Sequence, residues 1–185
     1  MWVSRRHYEQ LVREHESLMG LKETLDKTIV QGRQVYNALM EDFTSALRVC
    51  SSSDGYRFFM ESLESLSDDV LVRKGQILVS DVIMLTYSLS GMITDFKLSP
   101  VGDLNHRFIH HLLDPARGIS KVVGLDSAIS NRGILLEALG SLYSVCYAIL
   151  SVRDGLLALY PSYRMFLVMI ERLLIFLKDM KSGMA

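Results

Sequence analysis

Proline is nearly absent from this sequence of 185 residues: Pro100, Pro115 and Pro161 are the only three. An interior proline is the commonest obligatory stop for a helix, so long helices face few breaks. Cysteine is scarcer still, with Cys50 and Cys146 alone. Two cysteines do not make a disulfide framework, which excludes a stapled secreted scaffold. Reduced thiols in a cytoplasmic protein are expected. An excess of one charge is also missing. Lys and Arg number 20 and Asp and Glu 21, for a formal net charge of −1. No strongly basic face for nucleic acid or anionic lipid is advertised, and no nucleic-acid partner is expected. Tyr-, Phe- and Leu-containing runs are common, but long uncharged ones are not. Residues 133–150 contain Glu137, and residues 165–177 are interrupted by Glu171 and Arg172. Neither reaches about 18–20 uncharged apolar residues, so no transmembrane span is expected. The opening Met-Trp-Val-Ser-Arg-Arg-His carries charge with no apolar stretch behind it, unlike a signal peptide.

Catalytic motifs are absent too. Gly-Leu-Asp-Ser-Ala and Gly-Ser-Leu-Tyr-Ser lack the glycine spacing of a nucleophile elbow. Val72-Arg73-Lys74-Gly75 lacks the flanking glycines of a phosphate loop. No segment alternates strictly enough to form a half-buried strand, and there is no internal repeat.

What the sequence does have is helical periodicity in a chain 49% hydrophobic, with a mean hydropathy of +0.21. From Tyr8 the heptad core positions read Tyr8, Leu11, His15, Leu18, Lys22, Leu25, Ile29, Gly32, Tyr36, Leu39, Phe43 and Ala46. Their alternating steps of three and four make a stripe that packs on another helix. His15, Lys22 and Gly32 spoil core positions, which disfavours a long autonomous two-stranded coiled coil. The expected helices run over 4–49, 56–66, 68–98, 104–113, 126–159 and 161–181. Ser-Ser-Ser-Asp-Gly at 51–55 is the first turn, with Asp54 as cap of the second helix. Breaks are expected at 99–102 and again at Asp114-Pro115-Ala116-Arg117-Gly118. Pro161 suits the first position of the last helix.

At 1.5 Å per residue the first helix would be about 60–70 Å long, against about 40 Å across for a compact sphere of this size. The expected fold is therefore all-α: an elongated bundle of about six helices, two of them short, with a long heptad-patterned N-terminal helix. Residues 1–50 form that helix and residues 51–185 the bundle packing with it, as one domain. In the last helix Arg164, Glu171 and Lys178 lie seven apart as one narrow polar stripe. The rest is apolar, which predicts that the helix is surrounded.

Two sets of residues are candidate sites. Tyr8, Leu11, Leu18, Leu25, Ile29, Tyr36, Leu39 and Phe43 are a candidate interface, with 8–25 the docking part and 35–47 the self-packed part. Asp103, His106, His110 and Asp114 share one helix face at metal-ligand spacing, with His111 beside them. A ferritin-type site needs Glu from other helices and a Glu-x-x-His motif, which is missing, so a solvated face is the expectation there. No cofactor and no catalytic residue is expected. The reading is a non-enzymatic structural or interaction subunit, binding a protein partner or another copy of itself through helix–helix burial. The alternatives are a membrane- or lipid-associated helical protein and a metal-binding helical enzyme using the 103–114 face.

Overall fold

Among the described residues, helical periodicity becomes seven α-helices and a 3-10 turn at Pro161–Tyr163, with no strand. The computed structural model describes residues 5–94, 100–123, 131–159 and 161–180, without the side chains of 88–94, 100–106, 123 and 159. The helices are α1 (Arg5–Ser51), α2 (Asp54–Glu64), α3 (Asp68–Thr94), α4 (Pro100–Val123), α5 (Arg132–Ser151), α6 (Arg153–Leu159) and α7 (Arg164–Asp179). The all-α bundle is as expected, with one more helix than the six foreseen. Two units are distinguished, Met1–Ala38 and Leu39–Ala185, and the division falls inside α1.

The first unit is a single helical segment, unbroken at Gly20 and Gly32. Helix-compatible charge pairs run along it. Arg5 Nε donates to Glu9 at 3.0 Å, and Glu23 accepts from Lys27 at 2.9 Å. Gln10 also donates to Glu14 at 2.9 Å. Exposed pairs of this kind add about 0.2–0.5 kcal/mol each, enough to bias a helix but not to build a core. No described side chain before Leu39 is buried.

The second unit has a continuous core centred on α5, which packs against α2, α3, α4, α6 and α7. The cause is compositional: between Arg132 and Ser151 the only other charge is Glu137. Leu135, Leu139, Leu142, Cys146 and Ile149 are fully enclosed. By length and composition α5 could cross a membrane, yet 61% of its apolar window is buried inside the protein. Around it, α3 contributes Leu71, Leu78, Val82 and Leu85 at steps of seven, four and three. Val70 and Ile77, equally apolar and also seven apart, lie one residue off this face, and Ile77 is exposed.

Three expectations fail in instructive ways. The segment at Pro115–Gly118 does not break the chain, because α4 runs through it. A proline there leaves the His111 carbonyl without its helical N–H, which costs roughly 3 kcal/mol. Burial of Phe108, Leu112, Ala116, Ile119 and Val122 along one face outweighs that. Gly118 is not a stop but a contact: a methyl group there would lie 3.1 Å from the Ala138 Cβ, so at this point α4 has no side chain between its backbone and the Ala138 methyl of α5.

The helix expected over 126–159 is two. It ends at Ser151, whose hydroxyl donates to the Tyr147 carbonyl at 2.9 Å, and α6 starts after Val152. Such back-bonding loosens and bends a helix end. Residues 124–130, with the expected cap Asp126, lie outside the described residues.

The last helix is not surrounded. Phe166, Ile170, Leu173 and Leu177 are buried, while Met165, Val168 and Ile175 share the exposed side with Arg164 and Arg172. Pro161 opens a 3-10 turn to Tyr163, rather than α7 itself. The Tyr163 ring is buried and stands edge-on to Phe166 with centroids 5.8 Å apart.

Candidate interaction surface

Heptad spacing puts Tyr8, Leu11, Leu18, Leu25 and Ile29 on one face of the first unit, and all five are exposed. Tyr8 is 64%, Leu18 65% and Leu25 59% accessible. Val12, Met19 and Leu21 widen the stripe and are exposed as well. Isolated exposed hydrophobics are ordinary, but an aligned row over six turns is a patch of the kind that marks interaction sites. The opposite face carries the charge pairs described above, so the segment is amphipathic. Thr24 and Thr28 add hydroxyl bonds to the Gly20 and Thr24 carbonyls, both 2.9 Å, which keep these polar groups within the helix.

The rest of the candidate interface sits elsewhere. Tyr36 is half-buried, and Leu39 and Phe43 belong to the core of the second unit. Phe43 meets Phe108 of α4 edge-on at 5.4 Å between centroids, and the His111 ring at 5.1 Å. Sequence periodicity ran through both units without a change of spacing, so it could not separate a covered stretch from an open one.

The 103–114 face offers less. His110 and Asp114 are exposed, and Asp114 accepts from Arg117 at 3.4 Å. The side chains of Asp103 and His106 lie outside the described residues. Among the described residues no three His, Cys, Asp or Glu side chains are grouped to hold a metal ion. His111 is exposed on one side, but its ring lies against Phe43, and this partial desolvation lowers its pKa; Asp114 opposes the shift and Arg107 and His110 add to it.

The two thiols are equally quiet. Cys50 and Cys146 are buried and unbonded to each other, and burial raises both pKa values. A thiol is nucleophilic only as thiolate, so neither is poised for chemistry.

A second feature escaped the sequence reading. Between α3 and α7 lies a cleft of about 300 Å³, walled by Asp81, Met84 and Leu85 on one side and Met169, Arg172 and Phe176 on the other. Its residues come from two helices and lie 84 or more positions apart in sequence. Only the packed structure brings them together.

No family model, curated protein or solved structure matches the chain.

Proposed function

We propose that the chain is a non-enzymatic helical interaction subunit that docks a protein through the stripe from Tyr8 to Ile29. One observation carries this reading: a heptad-spaced apolar row is exposed over residues 8–29, on a helix that already satisfies its own backbone hydrogen bonds. Burying that row against a second helix removes apolar surface from water at about 25 cal/mol per Å². The same face offers no charge cluster that would ask for a small anion or a metal instead.

Leu18 and Leu25, both leucines at core positions, are the expected anchors. The test compares the wild-type chain with a Leu18→Asp/Leu25→Asp variant of the full chain, by sedimentation and by the set of proteins that co-purify. The variant should keep its helical circular dichroism and lose its partners. A wild type that stays monomeric, with a partner set unchanged in the variant, overturns the proposal.

Lipid association is the second reading, drawn from α5 and from the exposed Met165, Val168 and Ile175 of α7. Absence of co-flotation with neutral and anionic vesicles rejects it.

A further inference from the structure

We infer that the occupant of the Tyr8–Ile29 stripe is the same stripe of a second copy of this chain, running antiparallel. The inference rests on the docking reading above and specifies its partner.

Two columns of the heptad carry the argument. One reads Tyr8, His15, Lys22 and Ile29; the other reads Leu11, Leu18, Leu25 and Gly32. In a parallel pair each column faces itself. That sets Lys22 on Lys22 and His15 on His15 in the middle of the seam, and leaves a hole where Gly32 faces Gly32. In an antiparallel pair the columns face each other. Each polar member of the first column then meets a residue of the second, and like charges leave the seam.

Size complementarity selects the register. With the two helices crossing at residue 20, Tyr8 lies over Gly32 of the second copy, Leu11 over its Ile29, His15 over its Leu25 and Leu18 over its Lys22. The bulkiest side chain of the stripe covers its smallest. The lysine stem lies along a leucine and its ammonium reaches water.

An independent feature marks the same centre. Met19 and Leu21 are exposed apolar residues outside the two columns, and they flank residue 20 on opposite sides of the seam. In this register each falls beside its own counterpart at the two-fold axis, and both become covered. A surface that is self-complementary about a point is what an isologous dimer requires. The only like-charge pair at the flanking seam positions, Arg5 with Arg33 of the second copy, lies at the solvated ends, where salt screens it.

The experiment is oxidative cross-linking of cysteine variants of the full chain. Cys50 and Cys146 are buried and form the silent background. Met19→Cys should link to itself. Leu11→Cys and Ile29→Cys should not link alone, but should link to each other when mixed. Self-linkage of Leu11→Cys without that of Met19→Cys means a parallel pair and overturns the inference.

Sedimentation gives the second readout. The wild type should show a monomer–dimer equilibrium, and Leu18→Asp should raise its dissociation constant by about thirtyfold or more, as a buried anchor does. A wild type monomeric at every concentration overturns self-pairing. If Leu18→Asp then still abolishes a defined co-purifying partner, the docking reading survives alone; if it does not, both fall.

Discussion

Arg132 Nη2 donates to the Leu66 carbonyl at 2.7 Å, from the first turn of α5 to the loop that follows α2. The same nitrogen reaches the Glu64 carbonyl at 2.8 Å, and Nη1 pairs with the Asp68 carboxylate at the start of α3. One planar guanidinium thus satisfies carbonyls left over at one helix end and the acid that opens the next. Arg132→Ala should destabilise the protein by about 2 kcal/mol, lowering Tm by roughly 4–8 °C. Arg132→Lys should recover only part, since an ammonium cannot span the fork. Thermal unfolding followed by circular dichroism decides this; a Tm unchanged in Arg132→Ala contradicts it.

Gly140 sits under α2. A Cβ added there would lie 2.5 Å from Tyr56 Oη and 2.8 Å from Met60 Sδ. Alanine is the better helix former by about 1 kcal/mol, but the overlap forces the Tyr56 ring away from Tyr143, 6.1 Å distant between centroids. Gly140→Ala should therefore be destabilising, by about 1–2 kcal/mol net. Adding Tyr56→Phe should restore part of the loss, because it removes the closer of the two overlaps and leaves that with Met60 Sδ. Urea denaturation of the single and double variants measures both effects.

Acid should weaken the fold partly through His111. Its pKa lies below 6.5 because burial beside Phe43 disfavours the imidazolium. Between the folded value and 6.5 the unfolded chain binds more protons than the folded one, so stability falls as pH drops below about 6.5. Above that pH the penalty is absent. The fall in Tm between pH 7.5 and 5 should be shallower in His111→Phe than in the wild type. Equal slopes would assign the acid sensitivity to other groups.

Alkali acts with the opposite sign on another cluster. Burial raises the pKa values of Cys50, Tyr56, Tyr143 and Cys146. The folded protein keeps protons that an unfolded chain releases from about pH 9 for thiols and 10 for phenols. Stability should decline as pH rises above about 9. Consistently, a thiol reagent at pH 8 should find no reactive cysteine in the native protein and two after denaturation. Rapid native labelling of Cys50 would contradict its enclosure.

The all-α class and the placement of the first three helices were legible before any coordinates, because three prolines and steps of three and four leave little else for the chain to form. What was illegible depended on neighbours. Asp54 looked like the cap of α2, yet the Ser53 hydroxyl accepts from the Tyr56 N–H at 3.1 Å, while Asp54 turns to Arg57 at 2.5 Å. Ser and Asp cap equally well, so sequence could not choose. In α3, Val70 and Ile77 match the apolar spacing as well as Leu71 and Leu78 do; packing against the neighbouring helices buries the latter pair. The stripe at Tyr8–Ile29 was visible as a pattern, but whether it was covered could not be known until Leu39 and Phe43 proved to be buried and Leu18 and Leu25 exposed. The α3–α7 cleft had no local signature at all.

The contact of Gly118 with Ala138 has a mechanical meaning. Where a layer of side chains separates neighbouring helices, rotamer changes in that layer can absorb small displacements. Where a single added methyl would stand 3.1 Å from its neighbour, there is no such cushion. Sliding α4 along α5 at that point drives the Gly118 backbone against the Ala138 methyl group, whereas rocking about it does not. The crossing should therefore serve as a fulcrum, about which α4 tilts as a rigid lever while its contact with α5 holds.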